Sequence, residues 1–380
     1  MSSISFNEVP ANVRVPGVYI EIDNSLANNA EDLQRVLIIG SSDGGDTADN
    51  LVTLTPTPET AADRFGENSQ IHKMVKMFYE QEKALPIYAV STPALAPDIS
   101  TALAACGDTQ YHYIASAFND DVSVNALDQF LDNRYQALQQ IPGLAFVAKK
   151  DTHANLVTFG MGFNSPFISV LPVNTLNDLT KTELTEPELA AAHAGRIAGS
   201  LAIDPARPLQ TLDLKAVYTG ADIEWGFTER NLFLYSGIST YRTNNAGQVF
   251  IERPITLYKE NAAGAADDSY LDVTVPATAM FYRAQQRNRI LSKFGRHKLA
   301  ADGTRFAPGQ AVVTPSIIKA ELMALYTELE YRAIVQDFDG YKESLIVGLD
   351  PSNPSRINVQ DSPKFVNGMI IYAGKIQFRK

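Results

Sequence analysis

Along its 380 residues the hydrophobic pattern changes character twice. Near the start, Val18, Ile20 and Ile22 alternate with Tyr19 and Glu21 in GVYIEI, residues 17–22. That period of two predicts one short strand with one apolar face. Pro10 and Pro16 break any helix before it, and residues 23–32, DNSLANNAED, read as a polar linker. From residue 35 to about 203, apolar runs at 36–39, 87–90, 111–117, 144–148 and 167–173 are candidate strands. Amphipathic stretches separate them. The clearest covers 122–140, where Val124, Leu127, Leu131 and Leu138 recur on one helical face. Other helices are expected at 69–83, 98–106 and 186–201, the last with Pro187 in its first turn. Alternating strands and helices predict an α/β layer with a largely parallel sheet.

After residue 205 the pattern becomes mixed α+β. A strand-like run at 248–258 precedes a helix over 276–294, a loop holding Asp302 and Gly303, and a helix over 316–335 introduced by Thr314 and Pro315. Strands are expected around 342–347, 357–359 and 368–378. In the last of these, Ile370, Tyr372, Ile376 and Phe378 alternate with Ile371, Lys375, Gln377 and Arg379, the pattern of a half-buried strand.

Charge alters this picture in one place. A hydrophobic content of 45% with 20% charged residues is ordinary for a soluble globular protein. The net charge of −11 argues against a general nucleic-acid binder. Yet no carboxylate lies between Asp272 and Asp302, a window that holds Arg283, Arg287, Arg289, Lys293, Arg296 and Lys298. These cations can pair internally with Glu321, Glu328 or Glu330 of the following helix, or they can face a partner. Both readings stand at this point.

Candidate chemistry is sparse. In RVLIIGSSDGGD, residues 35–46, a strand runs into a glycine-containing loop, but the spacing fits neither dinucleotide nor P-loop fingerprints. Gly40, Gly44 and Gly45 are read as turn glycines. His72, His112, His153, His193 and His297 lack metal-ligand spacing. Asp337 and Asp339 in DFDG read as a helix-ending loop, Asp267 and Asp268 as a turn leading to a strand at 270–273, and Trp225 as a core or interface anchor. Cys106 is the single cysteine, which removes intrachain disulfides and cysteine metal clusters and suits assembly in a reducing cytoplasm. No apolar run approaches the ~18–20 residues that span a bilayer. The N-terminus has no basic segment followed by an apolar one, so no signal peptide is expected. No enzyme mechanism and no cofactor are expected.

Several segments together carry a family resemblance. They are FNEVPANVRVPGVYIEIDN (6–24), DPARPLQTLDL (204–214), TERN (228–231), GQVFIERPIT (247–256), ADDSYLDV (266–273), KLAADGT (298–304), VVTP (312–315) and RINVQDSPKFVNGMIIYAGKIQFRK (356–380). In this order and spacing the chain resembles contractile tail sheath proteins of Mu-like phages and prophages.

The resemblance implies an inner mixed α+β domain built from the N-terminal arm and the C-terminal half, with an outer α/β layered domain inserted between them. The corresponding boundaries are an arm at 1–24, an outer domain at 25–204, an inner domain at 205–360 and an arm strand at 361–380. It also implies a helical self-assembly of stacked hexameric rings around a tail tube protein, meeting baseplate and tail terminator proteins. No direct nucleic-acid contact and no membrane insertion are implied. Such a chain is made in the bacterial host cytoplasm and ends in the virion. The arm strands, with Val18, Tyr19, Ile20 and Ile22 at one end and Ile370, Tyr372, Ile376 and Phe378 at the other, can complete their own subunit's sheets or extend a neighbour's. In the sheath family they do the latter. The basic residues become candidates for facing the tube or a neighbouring subunit. Pro205 and Pro208 are expected to hold a stiff extended link that presents Arg207 at the domain junction, with Glu229 or Glu252 as its partner. Related readings are the sheath of a tailocin, secretion system or injection particle. From another class, the alternative is a cytoplasmic α/β nucleotide-binding enzyme.

Overall fold

The computed structural model describes residues 33–93, 97–174, 184–219 and 224–379. The expected N-terminal strand, with Val18, Tyr19, Ile20 and Ile22, lies outside the described residues. The first half builds a six-stranded sheet from β1 (Val36–Ser41), β2 (Thr53–Leu54), β3 (Ile87–Thr92), β4 (Tyr113–Ser116), β5 (Leu144–Asp151) and β6 (Ile168–Asn174). Their order is β2-β3-β1-β4-β5-β6, and every pairing is parallel except that of β2 with β3. The near-continuous apolar runs of β1, β3 and β5 suit strands covered on both faces.

The helices are α1 (Pro58–Phe65), α2 (Gln70–Gln81), α3 (Ile99–Ala104), α4 (Asp121–Tyr135), α5 (His153–Met161) and α6 (Glu186–Ile203). Helix α6 starts with Glu188 of its first turn reaching back to accept from the Thr185 amide and hydroxyl, one half of a capping box. It is buried nearly all round, through Ala190, Ala191, Ala192, Ala194 and Ala198. Its small residues let α2 approach closely: a Cβ on Gly195 would stand 2.9 Å from Gln81 Cβ. Helix α4 is shorter than expected. Val124, Leu127 and Leu131 are buried as its spacing predicts, but Leu138 lies beyond the helix end and is 97% exposed.

The apolar core does not stop at residue 204. Strands β7 (Asp213–Tyr218), β8 (Thr240–Thr243) and β9 (Gln248–Arg253) form an antiparallel sheet, with α7 (Phe227–Tyr235) between β7 and β8 in sequence. The Ser239 and Leu257 amides donate to the Val170 and Ile168 carbonyls of β6, joining this region to the large sheet. One hydrophobic cluster therefore runs from Val36 to Ala277. Trp225 is buried in it, edge-on to Phe233 and Tyr241.

A second cluster belongs to the last third, built on α8 (Thr274–Phe294), α9 (Pro315–Tyr331) and α10 (Phe338–Ser344). Tyr326 and Tyr341 stack at its centre with ring centroids 3.7 Å apart. Two-residue strands β10 (Lys298–Leu299) and β11 (Val312–Val313) pair in parallel, and β12 (Ile346–Leu349) pairs with β13 (Ile357–Gln360) as a hairpin.

Three expectations are corrected here. Residues 342–344 end a helix, and the strand starts at Ile346. Asp337 and Asp339 open that helix rather than end one, with Asp337 in the left-handed region at φ 68° accepting from the Gly340 amide. Around 270–273 the only ladder contact among the described residues is the isolated bridge of Asp272 with Ile255.

His193 is fully buried against Phe146. Its Nε2 lies 3.3 Å from Ser169 Oγ, which lies 3.0 Å from Ser239 Oγ, while Nδ1 has no hydrogen-bond partner among the described residues. Burial pushes the imidazole down to about 3. The folded chain thus keeps His193 neutral, whereas the unfolded chain protonates it near pH ~6.5. The resulting stability is present above pH ~6.5 and is lost as pH falls toward the folded value. We expect denaturant unfolding, followed by Trp225 fluorescence, to show a loss of about 2 kcal/mol between pH ~6.5 and ~5. His193→Leu should flatten that slope. An equal slope in both proteins would contradict the assignment.

Candidate functional site

The glycine-containing loop after β1 is packed against the end of α1. The Asp43 and Thr47 amides donate to the Phe65 and Arg64 carbonyls, and the Ser41 amide to the Gln70 side chain. Cβ atoms on Gly45 and Gly66 would fall within 2.0 Å of the Arg64 and Asp43 carbonyl oxygens respectively. These glycines fold the loop onto the end of α1, and the Ser41, Asp43 and Thr47 amides are spent internally. Among the described residues no group of three His, Cys, Asp or Glu side chains could hold a metal ion. No helix there is long and apolar enough to cross a membrane.

The unusual surface is the C-terminal segment. Asp361, just past β13, accepts from Tyr282 Oη at 2.9 Å and from Gln286 Nε2 at 2.6 Å, both on α8. Burial raises its carboxyl above the ordinary value, opposed by these donors. Phe365 bridges Val335, the Gln336 amide donates to the Lys364 carbonyl, and the Val366 amide donates to that of Ile334. The Met369 carbonyl accepts from Gln210 Nε2 at 3.1 Å. There the anchoring ends.

The expected strand at 368–378 is not formed within the chain. Residues 370–379 have no strand assignment and no main-chain hydrogen bond among the described residues. Ile370 is half-buried, whereas Tyr372, Ile376 and Phe378 are 86%, 93% and 83% exposed, and Ile371 is exposed with them. The expectation of half-burial on one face fails for the single chain because no described sheet edge meets the segment.

The β12–β13 hairpin has the opposite character. It is two strands wide, with Ile346, Leu349 and Val359 exposed. Its turn is tightened by Asp350, which accepts from the Ser352 and Asn353 amides and from Asn358 Nδ2. A groove of about 720 Å³ runs beside β13, lined by Ile290, Phe294, Leu299, Ile357 and Val359, with Arg287 at its rim.

The structure divides the basic residues into two sets. Arg283 stacks over the Tyr135 ring at 4.5 Å and donates to the Tyr135 carbonyl at 2.7 Å. Arg289 pairs with Glu321 at 3.0 Å and with Glu328, and Lys293 pairs with Glu321 at 2.8 Å. Internal pairing with two of the three anticipated carboxylates thus accounts for Arg289 and Lys293, while Arg283 is held by Tyr135. Glu330 instead accepts from the Phe338 amide. Arg287, Arg296 and Lys298 are exposed and have no ion pair among the described residues.

Arg207 departs from expectation. Asp204 caps α6 and accepts from the Ala206 amide, so residues 204–207 form a turn rather than an extended link. Arg207 is exposed and pairs with neither expected carboxylate. Glu229 caps α7 through the Gly226 amide, and Glu252 pairs with Arg230 at 2.9 Å.

The sequence segments that carry the resemblance meet one another in space. Arg230 of TERN also donates to the Trp225 carbonyl. Arg253 of GQVFIERPIT makes a two-pronged pair with Asp272 of ADDSYLDV at 2.8 and 2.9 Å. Thr278 Oγ1 donates to the Pro205 carbonyl, and a Cβ on Gly368 would stand 2.7 Å from Pro208 Cγ. Sequence reasoning missed Asp361 and the Pro208–Gly368 contact. Both lie in quoted segments, but nothing in one sequence announces a contact across 160 residues.

Comparisons with known proteins identify the family. Residues 93–257 match the model for the phage tail sheath protein central domain, and residues 265–379 match that for the phage tail sheath C-terminal domain. The chain is 44% identical over 285 residues to the Mu-like prophage FluMu tail sheath protein of Haemophilus influenzae, covering 75% of this chain and 57% of that protein. The aligned part thus spans little more than half the length of that relative. In fold, the chain is similar to the crystal structure of a sheath tail protein from Desulfitobacterium hafniense, with a TM-score of 0.60 at 12% identity over 93% of this chain and 97% of that one. It is also similar to the contracted helical sheath of the anti-feeding prophage, with a TM-score of 0.58 at 13% identity over 97% and 99% of the two chains. At such identities the likeness speaks for the fold, and the relatives so named are structural sheath proteins. On the two domain matches and the Haemophilus relative, the chain belongs to the phage tail sheath protein family.

Proposed function

We propose that this protein is the subunit of a contractile tail sheath, in which copies polymerise as stacked hexameric rings around a tail tube between baseplate and terminator. The observation that carries the reading is the C-terminal segment: anchored as far as Met369, it then leaves its own subunit exposed and unpaired. Residues 370–379 act as a strand donated to a neighbouring subunit. The open edge of the neighbour's β12–β13 hairpin receives it. A two-stranded hairpin is marginal alone and gains from a third strand, and the adjoining groove offers apolar cover to alternate side chains. Residues 17–22 form the second arm, again between subunits. In this division residues 25–204 form the outer domain, residues 205–360 the inner one, and Arg207 marks their junction.

Each subunit makes the same contacts, and head-to-tail contacts that do not close give open helical arrays. Contraction consumes no cofactor. The extended lattice is held above the contracted one by a kinetic barrier, and per-subunit differences of a few kcal/mol sum along the array. Donated strands keep the copies linked while they rotate, driving the tube through the host envelope. Assembly takes place in the host cytoplasm and the product resides in the virion. The same parts would serve a tailocin or injection particle, as in the contracted sheath of the anti-feeding prophage.

Among the basic residues, the unpaired Arg287, Arg296 and Lys298 face the tube or a neighbouring copy, while Arg283, Arg289 and Lys293 hold the subunit together. Exposed charge contacts orient partners while contributing only ~0–1 kcal/mol each, which suits a tube that must detach.

Two outcomes are expected. Deleting residues 370–380 should leave the melting temperature and circular dichroism of the soluble protein intact while abolishing tubular polymers in negative-stain micrographs. Tubes as abundant as those of the full chain would overturn the arm reading. Replacing Arg287 and Lys298 together by Glu should change subunit stability by less than ~0.5 kcal/mol yet reduce co-sedimentation with purified tubes, most clearly at low salt. Undiminished co-sedimentation would remove these residues from the interface.

A further inference from the structure

The segment DPARPLQ lies far in sequence from the chain's C-terminus, yet it touches that segment where it departs. Its shape is set locally. Asp204 ends α6, its carboxylate accepts the Ala206 amide at 3.0 Å, and Pro205 and Pro208 restrict the backbone on either side of Arg207. From behind, the buried Thr278 Oγ1 of α8 shares its proton between the Thr274 carbonyl of its own helix at 2.7 Å and the Pro205 carbonyl at 3.1 Å. The turn is therefore rigid and seated on a long helix.

Two contacts pass from it to the departing chain. Gly368 approaches Pro208 so closely that a Cβ there would stand 2.7 Å from Pro208 Cγ and 3.5 Å from Cβ. One residue later, Gln210 Nε2 donates to the Met369 carbonyl at 3.1 Å. A main-chain bond from the Val366 amide to the Ile334 carbonyl holds the segment just before this point, and none follows among the described residues. Residues 366–369 are thus clamped between two elements of their own subunit, and the next residues run free. Gly368 has no positive φ, so its lack of a side chain serves the close approach to proline rather than an unusual backbone conformation.

We infer that Pro208, Gln210 and Gly368 form a rest that fixes the direction in which the C-terminal arm leaves its subunit, and so which neighbour the arm can reach. The inference depends on the donated-strand reading above and adds positioning residues to it. A free segment of about ten residues anchored in a fixed direction samples far fewer placements than one on a loose root, and its effective concentration at one receiving edge rises accordingly. A proline ring cannot yield as a flexible side chain can. A methyl group at position 368 must push the root away from Pro208.

The test is a reciprocal pair of substitutions in the full chain. Gly368→Ala should lower the fraction of protein in sedimentable tubes on the order of tenfold, the scale of a modest overpacking cost at each contact, with an unchanged melting temperature for the unassembled subunit. Pro208→Ala in the same chain removes Cγ and should restore most of the assembly. Gln210→Ala, which keeps the proline, should shift the angular spread between successive rings in micrographs without abolishing tubes. If Gly368→Ala assembles like the parent, or if Pro208→Ala does not rescue it, the rest is not a positioning device. The two readings fail separately. Deleting residues 370–380 without effect removes the arm itself, whereas a defective deletion beside a normal Gly368→Ala removes only the rest.

Discussion

The main chain of residues 370–379 has no hydrogen-bond partner among the described residues of its own subunit, and the functional account depends on that fact. Peptide groups are obligatory hydrogen-bonding groups, and here they are left for a partner outside the subunit's own secondary structure. Large apolar side chains on the same stretch, Ile371, Tyr372, Ile376 and Phe378, stand almost wholly in solvent. A segment with both properties is a strand without a sheet. Everything upstream of it works to hold its root: Asp361 is tied to α8, Phe365 to Val335, and Gly368 is pressed against Pro208. Rigid anchoring followed by abrupt release is how a chain offers a strand to another copy without lending it any of its own core.

The two hydrophobic clusters suit different mechanical duties. The larger joins the parallel sheet to the antiparallel region through hydrogen bonds at β6, so that among the described residues one apolar cluster reaches from Val36 to Ala277. The smaller is organised around the Tyr326–Tyr341 stack and carries the hairpin and the unpaired cations. Parts that would make contact with other molecules are therefore concentrated on the smaller cluster. The paired and unpaired cations of α8 follow the same division. Arg289 and Lys293 converge on Glu321 to hold α8 against α9, while Arg287 is exposed and has no ion pair among the described residues.

Much of the large sheet was legible in the sequence because its strands are short, apolar and separated by amphipathic helices. All five parallel strands stand where the apolar runs place them. Helices α1, α5, α7 and α10 and strands β2, β7, β8, β10 and β11 were missed, since these are short elements that gain their stability from tertiary contact rather than from periodicity. Leu138 misled because one apolar residue in phase with a helix does not extend it past its last hydrogen bond. The last strand misled in a more instructive way. Its alternation is genuine, but alternation states only that one face is meant for burial, and it does not say in which molecule. Arg207 could not be paired correctly because guanidinium partners are set by three-dimensional proximity. Glu229 and Glu252 were taken by a cap and by Arg230. The contact of Pro208 with Gly368 was invisible for the same reason.

The most direct test is amide hydrogen exchange of residues 370–379, compared between the unassembled subunit and the polymer. The account predicts fast, unprotected exchange in the subunit and strong protection in the polymer at alternate amides, the pattern of a strand paired along one edge. Protection already present in the unassembled subunit, or fast exchange that persists in the polymer, would contradict it.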